Sequence, residues 1–76
     1  MNENPTRQEL IGMTEAALVA NGIAIALALD VVNSSHVANY AHLLKALAPA
    51  VGASDPVAQK LLECVSEGVE GFLANR

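Results

Sequence analysis

A chain of 76 residues that is 53% hydrophobic and only 16% charged forms one small domain with more apolar side chains than so short a chain can comfortably hide. Four basic residues (Arg7, Lys45, Lys60, Arg76) stand against eight acidic ones, and the net charge of −4 repels phosphate backbones, which argues against unaided nucleic-acid binding. The single cysteine, Cys64, excludes an internal disulfide, although domains under roughly 70–80 residues usually lean on a disulfide, a metal or a partner chain.

A lone thiol requires no oxidising compartment, so the cytoplasm is the expected location. Residues 16–29 form an apolar run, but the stretch before it carries Glu3, Glu9 and Glu15 against one Arg7, the wrong sign for a secretory signal. The run is also shorter than the ~20 residues of a spanning helix and contains Asn21.

Three helices are expected in chain order, over residues 6–33, 35–48 and 55–74, after a flexible lead of residues 1–5. Thr6 and Glu9 have the spacing of a capping box, which opens the first helix. Asn21-Gly22 is its single interruption, read either as a break or as a tolerated interior glycine. Large apolar residues occur on every side of this helix: Leu10, Ile25 and Val32, then Leu18 and Leu29, then Val19 and Ile23, with Met13, Leu27 and Val31 completing the circle. A helix apolar all round must be surrounded. Residues 23–31 also alternate large and small with the period of a strand, but the small partner is alanine, a strong helix former that is depleted in strands.

Asn33-Ser34-Ser35 supplies capping residues for the second helix, whose inner face repeats Val37, Tyr40, Ala41, Leu44 and Leu47. Pro49 is expected to end it near Leu47 or Ala48, with residues 50–54 as the turn. Asp55-Pro56 marks the third start. On that helix Val57, Leu61, Cys64, Val65, Gly68 and Phe72 share a stripe flanked by Ala58, Leu62, Val69 and Leu73, and the apolar arc is about half the circumference, which implies two neighbours. Gly68 in mid-stripe implies the close approach of another backbone.

The chemistry of sites is sparse. His36 and His42 lie about 120° apart on a helix and cannot share a metal, no CxxC or HExxH spacing is present, and Cys64 on an apolar stripe reads as a small hydrophobe. No cofactor, metal or catalytic group is expected. Asp30, near the end of the most apolar helix, needs a partner or water, and Lys45 or His42 are the candidates by type. Glu63, Glu67 and Glu70 form an acidic ridge, read as a solvated face or as a docking edge for a basic partner.

These features lead to an all-α, three-helix chain forming an intertwined homodimer, with Leu18, Ile25, Leu29, Val32 and Phe72 at the dimer interface and Glu63, Glu67 and Glu70 toward a second protein. The expected function is that of a non-enzymatic regulatory or inhibitory adaptor. The alternatives are a small membrane-associated helical protein and a carrier of a small apolar ligand in the bundle core. Ile25→Asp should place a charge in the interface and give unfolded or aggregated protein, whereas Glu67→Lys should leave folding intact and weaken partner binding alone. Circular dichroism with light scattering checks the first, and a binding assay the second.

Overall fold

A computed structural model describes residues 6–76; the lead of residues 1–5 lies outside them. The chain folds into three helices, α1 (Arg7–Val32), α2 (Ser34–Gly52) and α3 (Pro56–Ala74), with no strand among the described residues. The alternating stretch at 23–31 is therefore helical, in keeping with its alanines.

Each helix starts where its capping chemistry sits. The Thr6 hydroxyl accepts from the Glu9 N–H at 3.0 Å while the Thr6 N–H donates to the Glu9 carboxylate at 2.7 Å, completing the capping box. Asn33 alone separates α1 from α2. Its N–H donates to the Leu29 carbonyl, closing one helix, and its side-chain oxygen accepts from the Ser35 N–H, opening the next. Asp55 caps α3 by accepting from the Ala58 N–H at 3.0 Å, with Pro56 in the first turn.

Asn21-Gly22 does not break α1, which is continuous over 26 residues, as the expected helix over 6–33 has it. One expectation is revised: Pro49 does not end α2, which runs on to Gly52. Pro49 lies in the last turn on the exposed side of the helix, so the carbonyl that loses its helical donor faces water. The turn is completed by Ala53 N–H to the Pro49 carbonyl and Asp55 N–H to the Val51 carbonyl.

The helices run up, down and up. Glu15 meets Lys60, Gly22 meets Gly68 and Asp30 meets Arg76, so α1 and α3 advance together. Lys45 meets Glu70 and Gly52 meets Gln59, so α2 and α3 oppose. α3 packs against both other helices, as its wide stripe implies. The result is a flat slab of 47 × 33 × 17 Å.

Two glycines set the α1–α3 distance. A Cβ on Gly68 would collide with the Val19 carbonyl and come within 3.1 Å of the Gly22 Cα; a Cβ on Gly22 would collide with the Val65 carbonyl. The backbones touch, as the position of Gly68 implies. The core beside this crossing is built from small residues: Ala26, Val37, Ala41, Leu44 and Val69 are buried, with Leu29, Tyr40, Leu62, Val65, Phe72 and Leu73 packed around them.

Gly68→Ala should therefore lower stability by about 1–3 kcal/mol despite the better helix propensity of alanine. Gly12→Ala, whose Cβ would meet nothing, should raise it by about 0.5–1 kcal/mol. Shifts of the urea midpoint at constant slope measure both.

Candidate protein-interaction surface

The most apolar helix is also the least covered. Only Gly22 and Ala26 of α1 are buried, while Met13 is 61% exposed, Leu27 54% and Val31 80%, with Leu10 and Ile23 also open. The two acids in the middle and end of this helix, Glu15 and Asp30, are half-buried and turned toward α3. There Lys60 Nζ lies 3.9 Å from Glu15, and Arg76 Nη1 lies 2.9 Å from Asp30. Arg76 also stands 6.0 Å from the centre of the Phe72 ring. Partly exposed pairs of this kind contribute at most about 1 kcal/mol. Their larger consequence is spatial, because they leave the outward face of α1 from Leu10 to Val31 without a charge.

The partner of Asp30 is Arg76, not Lys45 or His42. Lys45 is instead 2.8 Å from Glu70, and His42 is exposed. The expected interface residues divide. Leu29 and Phe72 pack against the chain's own core and Leu18 is half-buried, whereas Val32 is exposed and Ile25 is 38% exposed. The most open large side chains of α1 are Val31, Val32, Met13 and Leu27, of which Met13, Leu27 and Val31 lie round the helix from Leu18 and Leu29. Hydropathy alone ranks these residues equally; which side α3 covers is what separates them.

The acidic ridge lines a shallow groove of about 300 Å³ between α2 and α3, which Lys45, Ala48 and Pro49 share with Glu63, Glu67 and Glu70. Glu63 accepts from the Gln59 amide at 3.3 Å and Glu70 is engaged by Lys45, while Glu67 is exposed. A second groove of about 480 Å³ opens between the first turns of α1 and α3, lined by Leu10, Ile11, Pro56, Val57 and Leu61 with Arg7 and Lys60 at its edge. It is an open surface feature at one end of the bundle, whereas the carrier alternative pictures a ligand enclosed between the helices.

Among the described residues no group of three His, Cys, Asp or Glu side chains converges as metal ligands would. Cys64 is buried on the α3 stripe, and burial, assisted by the charge of Glu15, raises its pKa above the ordinary 9.0. The chain matches no family model, no curated protein and no solved structure.

The native Cys64 thiol should be inert to a disulfide-exchange reagent at pH 8 and react fully in urea, as thiol titration measures. Because its folded pKa is raised, its contribution to stability is present below the unfolded value of 9.0 and is lost as pH rises above it. Urea melts at pH 8 and pH 10 should show that decline, and Cys64→Ala should reduce it.

Proposed function

We propose that the protein is a non-enzymatic interaction module that acts as a homodimer joined through the outward face of α1 and that binds and occludes a larger protein through the acidic side of α3. One observation carries this reading: the outward face of α1 is apolar and open. Met13, Leu27 and Val31 stand on it, 61%, 54% and 80% exposed, and exposed apolar patches of several hundred Å² mark interfaces or aggregation sites.

A second copy suits the face for an electrostatic reason. α1 and α3 each carry a net charge of −2 (Arg7 against Glu9, Glu15 and Asp30; Lys60 against Glu63, Glu67 and Glu70). Between Leu10 and Val31, however, the only acids of α1, Glu15 and Asp30, are turned toward α3, so two copies can meet through its outward side with their like charges apart. Glu63 and Glu67, neither held by a lysine or arginine, then remain available to steer the dimer onto a basic surface of its target. Occluding that surface is how such a module regulates or inhibits, and the cytoplasm is the proposed setting.

A second reading has its own observation. α1 is long and apolar enough to cross a membrane, since its 26 residues span about 39 Å against a hydrocarbon core of ~30 Å. The helix is longer than the apolar run that marks it in the sequence, and its acids Glu15 and Asp30 are turned toward α3. On this reading lipid covers α1 in place of the second copy.

Sedimentation equilibrium and fractionation separate the two. The purified chain should sediment at twice 7.9 kDa without detergent, and Leu27→Glu should remain helical by circular dichroism while sedimenting as a monomer. Recovery of the native chain solely from a carbonate-resistant, detergent-soluble membrane pellet would establish the membrane reading instead.

A further inference from the structure

We infer that the second copy lays its α1 antiparallel to the first, in a register that sets Ala20 opposite Ala24 of the second copy; this rests on the proposed self-association through α1. The pattern that carries the inference is on the helix itself. Met13, Ala17, Ala20, Ala24, Leu27 and Val31 recur at spacings of four and three, the repeat of a helix seam that faces one neighbour along its length. All six are exposed. The opposite seam of α1, with Glu15, Val19, Gly22, Ala26 and Leu29, has the same spacing and is the one packed against α3, half-buried to fully buried throughout. α1 thus carries two seams of one type, of which its own chain fills one.

The open seam is symmetric about residue 22 in position but not in size. Reversing the partner sets Met13 beside Val31, Ala17 beside Leu27 and Ala20 beside Ala24, so the leucine falls on an alanine in both halves. A parallel pair would set Leu27 on Leu27 and Val31 on Val31 while Ala17, Ala20 and Ala24 faced their own copies across a gap. The reversed pair has a single large pair, Met13 on Val31, at each end with Leu27 seated on Ala17 inside it. The parallel pair instead stacks Leu27 and Val31 on their own copies in succession, which holds the axes apart where the alanines need them close; contacts across such a gap lose much of their dispersion energy. Interiors tolerate gaps poorly, so the reversed arrangement wins on packing.

Charge agrees with size. α1 has no basic residue in its last turn, and the carbonyl end of a helix attracts cations. An antiparallel partner brings its Arg7 to that end and opposes the two helix dipoles, whereas a parallel partner sets like ends together. The groove formed by Leu10, Ile11, Val57 and Leu61 then lies near the level of Val31 and Val32 of the second copy, extending the apolar contact beyond the seam. The same symmetry closes the assembly at two, because each copy offers one seam and receives one.

Cysteine cross-linking tests the register. Ala17→Cys and Leu27→Cys are prepared as separate full-length variants, with the wild-type chain and its buried Cys64 as control. Each is equilibrated in a glutathione redox buffer, alone and as a mixture, and sedimentation is measured in parallel. In the proposed register a cysteine at 17 of one copy faces a cysteine at 27 of the other, whereas identical positions are about 15 Å apart along the axis, beyond the ~7 Å Cα separation that a disulfide spans. The expected result is a covalent dimer in the mixture at least tenfold more abundant than in either variant alone. Covalent dimers of either variant alone would overturn the antiparallel register while leaving self-association standing. A dimer by sedimentation that forms no cross-link in the mixture would overturn the seam. Monomers by sedimentation at 100 µM, a concentration of about the order at which weak interfaces still associate, would overturn the proposed function and this inference with it.

Discussion

The crossing of Gly22 over Gly68 is the contact on which the rest of the structure depends. Without side chains at that point the α1 and α3 backbones touch, and the core beside them needs only alanine, valine and a few larger residues to fill it. The helices lie side by side in a thin slab, 17 Å in its shortest dimension. A thin slab covers each helix on few sides. α3, in the middle, finds two neighbours; α1, at the edge, finds mainly one and is left with its opposite side open.

Electrostatics sorts that open side from the closed one. Glu15 and Asp30 are the acids that would spoil an apolar face, and both are turned to the side where Lys60 of α3 and Arg76, just beyond its end, stand. The pairs contribute little energy of their own. Their effect is to keep charge away from the outward seam while leaving Glu63 and Glu67 in water on α3. The molecule is thereby divided into an apolar side on α1 and an acidic side on α3.

Some of this was legible in the residues and some was not. The capping box of Thr6 and Glu9, the Asp55-Pro56 start and the close approach at Gly68 each have a local physical signature, and each is found where that signature lies. Pro49 misleads because a proline in a helix's last turn removes one hydrogen bond on a solvated side, a loss the turn absorbs. Asp30 misleads because its partner, Arg76, is 46 residues away in sequence and only the parallel course of α1 and α3 brings them together. Leu18 and Leu29 read as surface for a second copy, yet Leu29 packs on the chain's own core and Leu18 is half-covered.

The amino-acid sequence by itself determined three helices, their starts, an excess of apolar side chains and an acidic ridge, because caps, periodicity and composition act over a few residues or over the chain as a whole. Only the tertiary structure decided which side of α1 is covered, which cation meets which acid, and that Gly22 belongs with Gly68. Those outcomes are set by how two helices far apart in sequence cross, and a helix that is apolar all the way round carries no local mark of the side its neighbour will take.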